Sequence, residues 1–284
     1  MTPAFRYAYN VIGFGGEDVA VSIDRLARLG YDAVEVEGEP ERHDANRIRK
    51  LVEDTGLTVS SVCPNFTERR DLSHPDPEVR SDAVAYLRAV AEFAAEVGAS
   101  LFIVAPTSYA RVQPIADPLD EWLWAVEGIR TAGHRASTLG VDLTLECWNR
   151  YGTYMLNRLE EGARMWRETG LSNGGVMADT FHMNIEERSI SGAILGNANL
   201  LNHVHLSDSN RLAPGLGHID FAEVLRTLIE VDYEGSLAFE LIPTLPHLLG
   251  DEPDLPSLDD VAGQALQHME QVEQMLAAGR LEPS

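Results

Sequence analysis

Short runs of apolar and β-branched residues alternate along this chain with stretches whose apolar positions recur every three or four residues. The first run is Phe5 to Tyr9. A helical stretch from about residue 17 to 29 follows, with Val19, Ile23, Leu26 and Ala27 on one face and Gly30 as its stop signal. Further strand-like runs fall at about 32–37, 57–62, 101–105, 141–146, 175–179, 201–206 and 236–241. Helical periodicity falls near 44–54, 77–97, 117–139, 156–169, 189–195, 221–230 and 258–278. Eight strands and eight helices in strict alternation predict parallel strands joined by crossovers. Eight such units in 284 residues predict a closed (β/α)8 TIM barrel. The expected organisation is one domain over residues 1–284, ending in a C-terminal amphipathic helix. An open doubly wound sheet needs a phosphate-cradling loop after the first strand. Gly13, Gly15 and Gly16 lack the third glycine of that fingerprint and read as a loop and helix start. The Pro- and Asp-rich stretch 243–256 reads as the loop after the last strand, able to fold over the barrel mouth or meet a partner chain.

Charge narrows the function. The chain carries 22 Lys and Arg against 45 Asp and Glu, a net charge of −23 at pH 7. Such a surface repels phosphate backbones and anionic lipid, so neither nucleic acid nor membrane is an expected partner. Two cysteines, Cys63 and Cys147, exclude a disulfide scaffold and suit a reducing, cytoplasmic setting. The first residues lack the basic start and long apolar run of a signal peptide. Lys50 is the only lysine and lies in a charged helical stretch, which argues against Schiff-base chemistry.

In a barrel of this kind, active-site residues stand at the C-terminal ends of the strands. Glu146, Asp179, His205 and Glu240 occupy such positions on four consecutive strands. A bare carboxylate is costly at the end of an apolar strand. One divalent cation shared by three carboxylates and an imidazole removes that cost, and the set suits Mn²⁺, Mg²⁺ or Co²⁺ better than a thiolate-preferring metal. His203 and His205 are read as pointing to opposite sides of the barrel wall. Cys147 is expected to face the helices and Cys63 to face the pocket. Trp122 and Trp124 read as packing residues, and Trp148, in a loop at the mouth, as a substrate contact.

Several segments carry a resemblance. They are GYDAVEV (30–36), DLSHPDPEVR (71–80), ECWNRYGTYMLN (146–157), ADTFHMNIEE (178–187), HVHLSDSNRLAPGLGHIDF (203–221) and YEGSLAFEL (233–241). In this order they resemble the xylose-isomerase-like TIM barrel superfamily, in its sugar phosphate isomerase/epimerase branch. Within it they are similar to ketose 3-epimerases such as the tagatose and psicose 3-epimerases. The resemblance implies that Glu146, Asp179, His205 and Glu240 are metal ligands, with Mn²⁺ the first choice of ion. It implies that Glu146 and Glu240 are the catalytic carboxylates and that His182 and Arg211 hold substrate hydroxyls. One departure stands out. The ketose epimerases carry a second Glu six residues after the strand-five Glu, and here that position is Gly152.

The implied reaction is an isomerisation or epimerisation through an enediolate, by two-carboxylate proton transfer on a small ketose or related polyol ketone. The same atoms suit a second outcome, a metal-dependent lyase of 3-oxo-glycosides paired with a small β-rich subunit. Gly152 then leaves room for a bulky aglycone, and the 241–250 stretch offers a contact for that subunit. A homo-oligomer is the other expected assembly. No phosphate-binding nest is visible, which favours an unphosphorylated substrate.

Overall fold

The computed structural model describes residues 5–242 and 257–279. Eight parallel strands close into a barrel: β1 Arg6–Asn10, β2 Ala33–Glu37, β3 Thr58–Cys63, β4 Leu101–Val104, β5 Asp142–Glu146, β6 Gly174–Asp179, β7 Leu201–Leu206 and β8 Ser236–Phe239. Each strand pairs with its sequence neighbours, and β8 returns to β1 through Arg6 opposite Ser236. Parallel strands covered on both faces need near-continuous apolar runs, and all four residues of β4, LFIV, are buried.

Nine α-helices lie among the described residues: α1 Val19–Leu29, α2 Ala45–Thr55, α3 Pro77–Val97, α4 Pro118–Thr138, α5 Leu159–Thr169, α6 Thr180–Glu186, α7 Ile190–Asn197, α8 Phe221–Glu230 and α9 Leu258–Ala277. That is one more than the alternation predicts. The addition is α6, which follows β6 without a linking loop because Asp179 both ends the strand and caps the helix, accepting from the Phe181 and His182 N–H groups. With no turn residues between strand and helix, the sequence gives no boundary that would announce α6. The Gly-rich segment after β1 forms a 3₁₀ turn, Val11–Phe14, and not a helix start. Gly13 is required there by crowding, since a Cβ would lie 2.4 Å from the Leu241 carbonyl oxygen. The predicted loop at 243–256 lies outside the described residues, as does most of the 241–250 stretch expected to meet a partner.

Much of the acidic surplus has a local use. Asp18, Asp44, Asp76, Asp117, Asp179 and Asp220 each cap a helix through a side-chain oxygen. Carboxylates are favourable at helix N-termini because they meet free N–H groups and the positive end of the dipole. In this topology helix N-termini follow strand C-termini, so these acids ring the mouth. No described helix is long and apolar enough to cross a membrane.

The loop after β4 is held by a buried ion network. Asp71 accepts from the Ser73 and Ser108 N–H groups and hydroxyls, and from Arg111 Nε at 2.7 Å. Arg111 also donates to Glu121 at 2.7 Å, whose other oxygen takes the Ile115 and Ala116 N–H groups. Asp71 and Glu121 are both fully buried. Arg111→Met strands two buried carboxylates and is expected to cost about 3–5 kcal/mol. A denaturant midpoint within error of the parent's contradicts this account.

Candidate active site

The strands deliver four groups to one point. Glu146 ends β5, Asp179 ends β6, His205 is the penultimate residue of β7, and Glu240 follows β8. Asp179 and His205 are direct register partners. Each of the four offers a ligand atom within 4.8 Å of the others. His205 Nδ1 lies 3.0 Å from Glu240, 3.7 Å from Asp179 and 3.9 Å from Glu146. Glu146, Asp179 and His205 are buried, and Glu240 is partly open toward the mouth. The sequence expectation of four converging side chains therefore agrees with the geometry.

Arg211 joins this cluster. It donates to both Asp179 oxygens at 2.9 and 2.7 Å, to the Ser207 hydroxyl at 3.0 Å and to Glu240. Its guanidinium also lies over the Phe181 ring. Its backbone is left-handed, with φ 62°, a strained choice for a non-glycine residue. The turn that imposes this is built on Asp208, whose carboxylate takes the Ser209, Gly215 and Ile219 N–H groups.

His182, on α6, has its Nε2 3.9 Å from both Glu146 and Asp179. The Asn149 backbone N–H points at His182 Nδ1 from 3.1 Å, and the Asn149 side-chain amide lies 2.9 Å away. A backbone N–H can only donate, so Nδ1 is the acceptor and Nε2 carries the proton. Burial, together with the Arg211 charge, moves the His182 pKa down to about 4. The ring is therefore neutral and presents an N–H donor to the site. Asn149 escaped the sequence reading because its role depends on a loop folding back onto α6. The Arg150–Glu186 pair holds that loop in place.

Electrostatics argue for a cation. Three carboxylates face one guanidinium, a formal surplus of two negative charges. Burial and then the nearby Glu240 push the Glu146 pKa up to about 8. Burial also opposes charge on Asp179, but Arg211 and His182 outweigh it and hold that carboxyl well below its usual range. Arg211 and His205 do the same for Glu240. Oxygen and imidazole donors around three carboxylates that can all ionise only beside a further cation fit a hard or borderline divalent ion.

Other expectations fare differently. His203 and His205 do not point to opposite sides. Residues two apart on a strand share a face, and both imidazoles turn inward to Glu35, each at 2.8 Å. Gly152 does not open space for an aglycone, because a Cβ there would lie 3.1 Å from Trp148 Cβ and 3.2 Å from Tyr109 Cε2. Trp148 is buried edge-on against Phe66 and Tyr109 and forms part of an aromatic wall beside the mouth. Trp122 and Trp124 pack as read, under Arg164 and Arg80. Cys147 faces α5, at Gly162. Cys63 lies inside the barrel with Ile103 and Met177, and burial raises its thiol pKa well above the ordinary value, which makes it unreactive. Lys50 is an exposed partner of Asp54, away from the site.

Comparison with known proteins gives a consistent result. Residues 23–271 match the family described as xylose isomerase-like TIM barrel. A D-psicose 3-epimerase from Agrobacterium fabrum is 34% identical over 77% of this chain and 77% of its own length. A 3-dehydro-D-guloside 4-epimerase from Escherichia coli is 28% identical over 80% of this chain and 88% of its own. The crystal structure of a D-psicose 3-epimerase with D-tagatose, from Clostridium cellulolyticum H10, superposes with a TM-score of 0.85 at 28% identity, covering 94% of this chain and 99% of that one.

The raised Glu146 pKa has a thermodynamic consequence in metal-free protein. Its ordinary value is 4.5 and its folded value about 8, so the folded state holds the extra proton between those limits. Its contribution to stability therefore falls as pH rises from about 4.5 to about 8. The parent is expected to lose stability over this range relative to Glu146→Gln. Added Mn²⁺ should raise the parent's melting temperature more at pH 8 than at pH 6, with proton release. Parallel pH profiles for parent and variant count against the assignment.

Proposed function

The chain belongs to the xylose isomerase-like TIM barrel family, and from that premise we propose that it is a divalent-metal-dependent sugar epimerase. Its substrate is an unphosphorylated ketose or related polyol ketone, and Mn²⁺ is the ion of first choice. The observation that carries the reading is the meeting of Glu146, Asp179, His205 and Glu240 at one point, with Arg211 and His182 at its edge.

Epimerisation beside a carbonyl requires removing a weakly acidic C–H proton and returning one to the opposite face. A divalent ion held by the four groups would supply the Lewis acidity that stabilises negative charge on the substrate oxygens. Glu146 and Glu240 are the two proton-transfer groups. The pKa near 8 belongs to metal-free Glu146; a bound ion would leave this carboxylate ionised and able to accept a proton. Glu240 is kept ionised by Arg211 and His205 and is suited to removing one. The roles exchange for the reverse direction. His182 Nε2–H and Arg211 are the donors we assign to substrate hydroxyl or carbonyl oxygens, and Trp148 supports the apolar wall next to them.

A 3-oxo-glycoside as substrate has one observation in its favour. Where ketose epimerases resemble each other in a second glutamate, this chain has Gly152 covered by Tyr109, a residue 63% exposed. An exposed aromatic ring suits stacking on a sugar or aglycone face better than clamping a terminal hydroxyl. Either substrate class can end in epimerisation. Expulsion of the aglycone, in a lyase completed by a small second subunit, is the outcome that differs.

Incubation with free ketoses and with 3-oxo-glycosides in D₂O tests these readings. Solvent deuterium should enter the substrate carbon while the skeleton stays intact. Glu146→Gln and Glu240→Gln should each slow this exchange by about 10²–10⁴-fold. Absence of exchange with every substrate in the metal-loaded protein rejects the epimerase, and release of an aglycone selects the lyase. Tyr109→Ala should raise KM for a 3-oxo-glycoside about tenfold while kcat changes little, on the scale of one lost stacking contact. An unchanged KM removes Tyr109 from the substrate site.

A further inference from the structure

Glu35 is a carboxylate in the middle of the apolar strand AVEVE, and it is fully buried inside the barrel. Nothing in the proton-transfer chemistry above uses it. A charge in that position needs a compensating set of donors, and three are present. His205 Nε2 lies 2.8 Å from its Oε1, His203 Nε2 lies 2.8 Å from its Oε2, and the Ser61 hydroxyl donates to Oε2 as well. Both oxygens are thus engaged, and the carboxylate on β2 is gripped from two other strands, by Ser61 on β3 and the two histidines on β7.

A carboxylate offers only acceptors, so each imidazole must present its proton at Nε2. His205 Nδ1 lies 3.0 Å from Glu240 Oε2, so here it too carries a proton; with Nε2 held on Glu35, Nδ1, on the side of Glu240, Asp179 and Glu146, is the nitrogen left to give up its proton to a cation. A free imidazole can carry its proton on either nitrogen and can rotate by half a turn. Contact with Glu35 removes both freedoms. His203 and Ser61 occupy the other oxygen and stop the carboxylate from turning away.

We infer that Glu35 is a positioning residue that fixes His205 with Nδ1 as its ligating nitrogen, braced by His203 and Ser61. It touches neither substrate nor ion and acts through His205. The inference rests on the reading of the four-residue cluster as a metal centre, and its test separates the two.

The test is a calorimetric titration with Co²⁺, together with the visible spectrum of the Co²⁺ form and the melting of metal-free protein. Glu35→Gln keeps the shape but turns an N–H₂ group toward one imidazole. It is expected to weaken Co²⁺ binding about 10–100-fold and to shift the absorption bands, while metal-free melting stays close to the parent's. Glu35→Asp keeps the charge and shortens the reach. It should show a smaller loss in the same direction, and it decides the matter if the Gln variant does not fold. Parental affinity and spectrum in either folded variant overturn the inference. A lower affinity with unshifted bands and a large drop in metal-free melting makes Glu35 merely structural and overturns it too. A parent protein that binds no Co²⁺ instead overturns the metal-centre reading.

Discussion

Three carboxylates brought together in a buried space repel one another, and the catalytic end of this barrel is organised around that repulsion. Glu146, Asp179 and Glu240 come from the ends of separate strands; the first two are buried and Glu240 is partly open. Arg211 takes up part of the charge through Asp179 and Glu240. Glu146 has no such partner and tends to keep its proton. A divalent ion is the partner that would let all three carboxylates ionise together.

Such a centre is only as well defined as the groups around it. His182 is oriented by Asn149, which depends on the Arg150–Glu186 pair to hold the loop after β5 against α6. Arg211 is set by a left-handed backbone that the Asp208 turn enforces. His205 is held from behind by Glu35. In each case a buried acceptor or donor leaves one arrangement open. The wall of Phe66, Trp148 and Tyr109 gives the mouth an apolar side, and the Asp71–Arg111–Glu121 network anchors the loop that carries Tyr109.

The barrel was legible because its signals are local. Alternating apolar runs and helical periodicity need no knowledge of distant contacts, and aspartates and glycines mark most helix ends. The four-residue cluster was legible for a related reason. A carboxylate or imidazole closing an apolar strand is anomalous in the sequence itself, and four on consecutive strands must meet once the sheet closes. The short helix α6 was missed because Asp179 hides the boundary by serving strand and helix together, with no turn between them.

The sequence alone thus determined the succession of strands and helices, and with it the end of the barrel at which Glu146, Asp179, His205 and Glu240 meet. Only the tertiary structure decided how each is held. That His203 shares Glu35 with His205, that Asn149 sets the proton on His182, and that Tyr109 covers Gly152 are contacts between residues dozens of positions apart or more. The physical reason is range. Periodicity and strand-end chemistry are written over a few neighbouring residues, whereas tautomers, shifted pKa values and filled space arise from groups that meet only when the chain closes on itself.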